Sequence, residues 1–242
     1  MIHFLKTIRR NLIEKKNLKK YLFYAIGEIV LVVIGILIAV QINNWNETRK
    51  LKVKELKILN ELHSDLIQNM REIQDNLDVL KESIRSNEII KNHIENLLPY
   101  NDSLNYHFYN LGAYVAFTMN QTTYDNLKQI GMDIVSNDSL RLSISKLYGY
   151  EFVLYKTYED QYLVDHYARN IEPIHTSEFT YLEANSLVPK DYNKLKNHPQ
   201  LIQVIYSSIN LYSNFSYLQS RLHNITESVI GEVEKEIEKL KQ

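Results

Sequence analysis

The chain of 242 residues is long enough to bury one sizeable core. Its 28 Lys and Arg residues are balanced by 29 Asp and Glu residues, so the composition predicts no nucleic-acid partner. The absence of cysteine excludes disulfides, thiolate metal sites and a cysteine nucleophile. Only six Gly and four Pro argue against the turn-rich all-β classes and favour long helices.

The first predicted element is a membrane-spanning helix at residues 21–45, preceded by a basic segment at residues 1–20. Residues 21–42 carry a single charge, that of Glu28. At ~1.5 Å per residue, this stretch matches a hydrocarbon core of ~30 Å. A cleaved signal peptide is the main alternative, but its apolar region would be shorter and would end in a small-x-small cleavage site. We therefore expect an uncleaved anchor.

Basic residues flank the span with a modest excess on its N-terminal side. Seven Lys or Arg residues lie within residues 1–20, and five lie within residues 46–60. Because basic flanks tend to stay in the cytoplasm, this bias predicts a cytoplasmic N-terminus and a periplasmic location for residues 46–242. The expected location is the bacterial inner membrane, crossed once, with the lipid bilayer as the first partner.

One face of the span forms a candidate helix–helix interface. Its residues are Glu28, Gly35, Ala39 and Asn46, which fall within about 20° of one another on a helical wheel. Gly35 and Ala39 form a small-xxx-small pair that permits close approach of another helix, and an ionisable Glu28 should face a partner or water. The hypothesis is association with a second copy or with another membrane protein. Alternatively, the small residues are incidental and Glu28 reaches the membrane surface.

Residues 46–242 are predicted to form an extracytoplasmic helical bundle. The first helix should continue from the span to about residue 97, because no Gly or Pro occurs between Gly35 and Pro99. Its apolar residues follow a heptad spacing. They are Leu56, Leu59, Leu66, Met70, Ile73, Leu77, Leu80 and Ile84, with His63 as the polar interruption.

Four further helices are expected, at about residues 104–117, 122–131, 138–170 and 201–241. The helix at 138–170 is expected to end at Glu172-Pro173. Residues 171–199 contain three prolines and are predicted to form a loop with little regular structure. The predicted fold class is all-α, with the transmembrane helix continuing into an extended antiparallel helical bundle or coiled coil.

The sequence contains no recognised catalytic, cofactor-binding or metal-binding motif. Its eight His residues form no H-x-x-x-H pair, and the phosphate-binding and serine-hydrolase motifs are absent. Asp165 and His166, with Arg169 one turn later, form the best polar cluster, although adjacent residues do not face each other on a helix. We therefore expect no enzyme, no cofactor and no metal.

Five aromatic residues recur at helical spacing in the predicted helix 138–170. They are Tyr148, Phe152, Tyr155, Tyr158 and Tyr162. The simpler interpretation is that they are core residues whose hydroxyls reach the bundle surface. The alternative is an aromatic-lined ligand cleft of the kind found in helical sensor domains.

The run from Lys20 to Glu47, KYLFYAIGEIVLVVIGILIAVQINNWNE, resembles an uncharacterised family of single-pass, N-terminally anchored membrane proteins of Bacteroidota. A second similarity lies in residues 123–131, TYDNLKQIG, and in residues 136–141, SNDSLR. The resemblance implies the topology described above. It implies no activity, catalytic residue, cofactor or partner.

The leading functional hypothesis is a membrane-anchored, non-enzymatic interaction or scaffold protein whose extracytoplasmic domain binds itself or a partner along exposed helix faces. The alternative is an extracytoplasmic ligand-sensing domain that signals through a partner membrane protein, because residues 1–20 are too few to form a signalling domain. An enzyme of unrecognised type is the third possibility.

Overall fold

The computed structural model describes residues 18–113 and 115–242. Most of the predicted basic segment, residues 1–20, lies outside the described residues. Contacts divide the chain into two units, Met1–Lys54 and Glu55–Gln242.

Helix α1, Leu18–Glu95, is the longest element and contains both the predicted span and the first helix of the predicted bundle. It has no break, as its lack of internal Gly and Pro beyond Gly35 predicts. Shortly after its end, Leu97 adopts a positive φ of 52° and Pro99 prevents further helix. The large apolar side chains between Leu22 and Val53 are exposed, whereas the second unit buries one face of α1.

Three long helical stretches build the second unit. They are α1 from Glu55 onward, a helical run at Asp138–Glu178, and the last helix, α9, at Leu201–Lys241. Helices dominate the described chain, and its strands form one two-stranded sheet, so the all-α prediction is confirmed.

Helix α9 lies antiparallel to α1. The side-chain amide of Gln219 donates to the backbone carbonyl of Ile73 at 3.0 Å. Fifteen residues further along α9, Glu234 lies 2.9 Å from His63, which comes earlier in α1. The heptad residues of α1 therefore pack against a helix of the same chain.

Two apolar clusters form the core of this unit. The larger one receives side chains from all three stretches, among them Leu59, Leu66, Ile73, Leu147, Phe152, Phe215 and Val233. The smaller one includes Ile90, Leu104, Phe108, Leu187 and Ile205. Full burial of one such side chain contributes about 1.5–3 kcal/mol, so these clusters supply most of the apolar stabilisation.

The helical run alternates between α-helical pieces and π-helical turns. The α-helical pieces are α4 (Asp138–Lys146), α5 (Phe152–Tyr158), α6 (Val164–His166) and α7 (Glu172–Glu178). The π-helical turns are Leu147–Glu151, Glu159–Leu163 and Tyr167–Ile171. A π-turn places i and i+5 residues in register, so each one changes which side chains face the core.

The predicted loop at residues 171–199 is wrong, because this stretch is mostly structured. It contains α7, strands β1 (Phe179–Glu183) and β2 (Ser186–Pro189) in an antiparallel hairpin, and α8 (Tyr192–Lys196). Pro173 does not end the helical run. It lies in the first turn of α7, directly after a π-turn, and the first turn is the part of a helix that tolerates proline best.

The predicted helix at 104–117 is shorter in the structure. Helix α2 covers Leu104–Tyr109, and residues 115–121 are not helical. The chain passes close to the helical run at Gly112, where an added Cβ would lie 2.7 Å from Ile171 Cγ2. Only glycine permits this approach, so the chain runs past the helical run here instead of continuing α2. Helix α3, Thr122–Ile130, follows the extended segment.

Two reciprocal hydrogen bonds hold the extended segment on α1. The side-chain amide of Asn69 donates to the carbonyl of Asn120 at 2.9 Å, and its Oδ1 accepts from the N–H of Asn120 at 2.7 Å. Asn69 is fully buried. Its amide supplies the partner that a neighbouring strand would give to a backbone unit.

Replacing Asn69 with Ala should lower the free energy of unfolding by about 2 kcal/mol, because both backbone groups of Asn120 lose their partner. Urea denaturation of the purified chain measures the change. Asn60→Ala is the matched control on α1, since the exposed Asn60 amide donates only to the Leu56 carbonyl of its own helix. The control should change stability by less than about 0.5 kcal/mol. Equal losses in both variants would contradict this role of Asn69.

Candidate functional site

The predicted helix–helix interface lies in the first unit, where the described chain does not cover the apolar surface of α1. The most apolar window of this helix has a mean hydropathy of 2.7, and none of it is buried. By length and composition the helix can cross a membrane. Among the described residues, α1 is therefore a candidate membrane span.

All four predicted interface residues lie on this part of α1. Gly35, Ala39 and Asn46 are exposed, and Glu28 is partly exposed in a shallow surface groove. A Cβ added at Gly35 would meet nothing within 4 Å. Packing within the described chain thus does not require glycine at this position, and the face is open to a neighbouring helix.

The five predicted aromatic residues are divided between core and surface. Tyr148, Phe152 and Tyr155 are each at most 4% exposed and pack in the larger apolar cluster. Tyr158 and Tyr162 are exposed and contact each other edge to face, with 6.0 Å between ring centroids. The structure therefore brings the first three together in the core and the last two together on the surface.

A belt of buried polar side chains is the candidate site in the second unit. On α1 and the helical run it falls between the larger apolar cluster, which ends at Leu80 and Leu163, and the smaller one, which begins at Ile90 and Ile174. On α9 it consists of Ser208 and Tyr212, of which Tyr212 also packs in the larger cluster. Its members, each at most 8% exposed, are Ser83, Ser86, Asn87, His166, Ser208 and Tyr212. We refer to these six residues as the polar belt.

His166 is the titratable centre of the polar belt. Its Nε2 lies 2.8 Å from Ser208 Oγ, and its Nδ1 lies 3.1 Å from Nδ2 of Asn170. Both ring nitrogens therefore have a hydrogen-bonding partner within the bundle. Burial lowers the pKa of His166 below its ordinary value, which keeps the ring neutral near pH 7.

Ser208, His166 and Asn170 have the composition of a nucleophile, a base and an orienting group, but their geometry does not suit catalysis. Ser208 is 0% exposed, so a substrate could reach its Oγ only if the bundle opened. The arrangement gives no support to hydrolysis.

The polar belt also joins α1 to α9 through the connection after α2. The Leu111 carbonyl accepts from Asn87 Nδ2 at 3.0 Å and from the Tyr212 hydroxyl at 3.2 Å. Ser83 Oγ and Asn87 Oδ1 are buried without a hydrogen-bond partner in the described chain. Each buried polar atom without a partner lowers the free energy of unfolding by about 1–3 kcal/mol. The belt therefore contributes more to the specificity of helix packing than to stability.

The polar cluster predicted at Asp165, His166 and Arg169 separates into two parts. Asp165 and Arg169 form an ion pair on the surface at 2.6 Å, while His166 is buried in the polar belt. Neighbouring residues on a helix face different directions, which explains the separation. Among the described residues, no group of three His, Asp or Glu side chains could hold a metal ion.

His175 is a second buried histidine, and it lies next to the smaller apolar cluster. Burial lowers its pKa from the ordinary 6.5 to about 4, although a hydrogen bond with the Phe108 backbone acts in the opposite direction. Its ring packs edge to face on Phe179 and Tyr167, at 5.9 and 6.5 Å between centroids. The neutral ring is therefore the form that fits this site.

A groove of about 590 Å³ lies between the helical run and α9. At one end, Nη2 of Arg221 contacts both carboxylate oxygens of Glu151 at 3.0 and 2.9 Å. The sequence analysis missed this groove, because its residues come from two helices far apart in the sequence and one wall includes a π-turn. Glu151 carries the one usable signal, as an acidic residue within an otherwise apolar stretch.

Stability should fall as the pH decreases from about 6.5 towards 4, because the unfolded chain then binds protons that buried His175 and His166 do not bind in the folded state. Well above pH 6.5 both rings are neutral in the folded and the unfolded chain, and the stabilisation is complete. His175 alone accounts for about 3 kcal/mol across this window. Thermal unfolding of the purified chain at a series of pH values measures the slope.

His175→Phe keeps an aromatic ring and removes the titrating group. It should therefore flatten the pH dependence of stability between pH 6.5 and 4, whatever it does to stability at pH 7.5. An unchanged slope in His175→Phe would contradict the assignment.

Residues 28–208 match the model of a protein family described as a family of unknown function, DUF6090. The match covers more than half of the chain, from the candidate span to the beginning of α9. No curated protein and no solved structure matches the chain.

Proposed function

The chain belongs to the DUF6090 family, and we propose that it is a membrane-anchored, non-enzymatic interaction or scaffold protein. The observation that carries this proposal is the uncovered apolar surface of α1 between Leu22 and Trp45. Contact between water and apolar surface costs about 25 cal/mol per Å², and soluble monomers rarely expose large contiguous patches. A lipid bilayer is the cover that matches a single apolar helix of this length.

The anchor crosses the bacterial inner membrane once, at residues 21–45, with residues 1–20 in the cytoplasm and residues 46–242 in the periplasm. Seven basic residues before the span against five after it support this direction. The resemblance of residues 20–47 to single-pass proteins of Bacteroidota supports the same topology and a source in that group.

The helical unit acts through its surfaces rather than through chemistry. Its best constellation of reactive groups, around His166, is buried, and Ser208 within it is 0% exposed. The polar belt favours one packing arrangement of the bundle over others, so each copy presents the same surfaces to a partner.

The partner of the anchor helix is a second copy or another membrane protein, and it packs on the face of Glu28, Gly35, Ala39 and Asn46. Gly35 supports this because nothing in the described chain occupies the space beside it. A carboxylate within an apolar span supports it as well, since such groups usually face protein or water rather than lipid.

Cysteine labelling tests the anchor and its direction, because the natural chain has no cysteine of its own. We expect Asp78→Cys to react with a membrane-impermeant maleimide once the outer membrane is opened and the inner membrane is intact. Thr7→Cys should react only after the inner membrane is lysed. Both proteins should remain in the pellet after alkaline carbonate extraction. The reversed labelling pattern would contradict the direction, and a soluble product would contradict the anchor.

A pair of charge substitutions provides the control for anchoring. Arg at the centre of a span costs about 2.5–3.5 kcal/mol per residue, so Leu31→Arg with Leu37→Arg should release the chain from the carbonate pellet. Leu51→Arg with Val53→Arg changes two equally exposed apolar residues beyond the proposed span, and this variant should stay in the pellet.

Disulfide cross-linking in membranes tests the association face. Copies carrying Ile42→Cys should form a cross-linked dimer, and Glu28→Leu or Gly35→Leu should reduce its yield about tenfold. The matched control is Gly27→Leu, about 80° away from Gly35 on the helix. Like Gly35, Gly27 has nothing within 4 Å of an added Cβ. Equal yields in all variants would exclude self-association through this face.

A ligand-sensing role is the second candidate function, and the groove between the helical run and α9 favours it. In this scheme ligand binding changes the conformation of the bundle, and a partner membrane protein carries the response. Tyr158 and Tyr162, on the surface of the run, are available to such a partner.

A further inference from the structure

We propose that the groove between the helical run and α9 binds a linear oligosaccharide. This site is independent of the membrane anchor and of its association face. Its volume of about 590 Å³ falls within the range of about 300–1,000 Å³ that is usual for small-molecule sites. The lining residues fit a ligand that carries hydroxyl groups on its edges and C–H groups on its ring faces.

Arg221 is a donor held in a fixed position at one end of the groove. Glu151, which is only 3% exposed, contacts the guanidinium through Nη2 with both of its oxygens. A guanidinium has five N–H groups in a rigid plane, and the described contacts use one nitrogen. The remaining donors are oriented before a ligand arrives, which lowers the entropic cost of binding oxygen atoms.

Neutral polar groups continue along the groove from Arg221. Ser143, Asn224 and Ser228 line it, and their side chains make no hydrogen bond within the described chain. A hydroxyl both donates and accepts, and an amide offers both on separate atoms. Such a wall matches sugar hydroxyls, which also donate and accept at every position.

Apolar surface supplies the contacts for the ring faces of a sugar. Ile225 is partly exposed along the groove, and Tyr217 stands at its edge with 72% of its surface exposed. Leu147 and Val229 close the groove from the core side, with at most 3% of their surface exposed. No ring contact of Tyr217 occurs within the described chain. An amphipathic ring of this kind can cover the C–H face of a pyranose while its hydroxyl stays in water.

The charges of the groove argue against other ligand classes. Lys146 and Arg221 are balanced by Glu151 and Glu232, so the groove has no excess positive charge for a polyphosphate or a nucleic acid. The polar side chains of the groove would lose their water without gaining a hydrogen-bond partner under a lipid chain or an apolar helix. A neutral polyhydroxylated ligand needs no excess positive charge, and it offers hydrogen bonds to the polar side chains of the groove.

The length of the groove favours a chain of sugars over a single one. Its lining on α9 extends from Tyr217 to Glu232, about 22 Å at ~1.5 Å per residue. One pyranose ring would occupy only a part of this distance.

The test is binding of the full chain to an array of immobilised linear oligosaccharides, in a detergent that has no sugar headgroup. Tyr217→Ala removes the ring, and Arg221→Lys keeps the charge but removes the planar set of donors. Each should weaken binding about tenfold, which corresponds to about 1.4 kcal/mol. Tyr150→Ala is the matched control, because Tyr150 is exposed on the π-turn of the helical run and does not line the groove.

The proposal requires that the unchanged chain retain at least one oligosaccharide and that Tyr150→Ala retain it equally well. Tyr217 is so exposed that its removal should leave the melting temperature unchanged, which separates a binding defect from unfolding. Absence of binding to any oligosaccharide would overturn the proposal. Equal weakening in all three variants would overturn it as well.

Discussion

The constraint on which the rest of the structure depends is that α1 must satisfy two environments within one uninterrupted helix. Between Leu22 and Val53 its large apolar side chains are exposed on all sides. From Glu55 onward only one face is buried, and it packs against the helical run and α9. A helix that is apolar all round requires an apolar solvent, whereas a helix with one apolar face requires protein partners. The sequence of α1 changes from the first pattern to the second without a Gly or a Pro.

Within the second unit, the polar belt divides what would otherwise be one continuous apolar core. Apolar packing alone would tolerate sliding of α9 along α1 by a turn, because heptad faces are similar at each step. The bonds from His166 to Ser208 and from Asn87 and Tyr212 to the Leu111 carbonyl can form in only one register. The belt therefore fixes the register at a cost in stability, which is visible in the unpaired Ser83 Oγ.

The elements that sequence reasoning predicts well are those determined by local periodicity. The heptads of α1 and the apolar stripe of α9 depend only on residues three and four apart, and the structure has a helix at each place. The hairpin after α7 was missed for a different reason. Its strands are short, and β1 has only one buried residue, Phe179, so it lacks the alternation that indicates a strand.

Pro173 shows a second limit of local reasoning. A proline interrupts an α-helix because it lacks an N–H and clashes with the preceding turn. The π-turn at Tyr167–Ile171 bonds over five residues, as the Glu172 N–H does to the Tyr167 carbonyl, and the helix restarts with Pro173 in its first turn. Sequence periodicity does not reveal a π-turn, since that turn depends on contacts with the rest of the bundle.

The close approach at Gly112 is hidden from local reasoning for the same reason, because it depends on residues far away in the sequence.

The three π-turns have a common consequence, since each contains or adjoins a buried polar side chain. Glu151 lies in the first and meets Arg221, and Glu159 begins the second and accepts the Phe117 N–H at 2.9 Å. Burial raises the pKa of Glu159, although that N–H and Lys156 favour its charged form. His166 immediately precedes the third. A regular α-helix of this length would present one apolar stripe to the core, whereas added residues in the turns let polar groups face inward at intervals. The helical run therefore has irregular hydrogen bonding and, in return, inward-facing polar positions that a regular α-helix lacks. His166 of the polar belt and Glu151 of the groove occupy such positions.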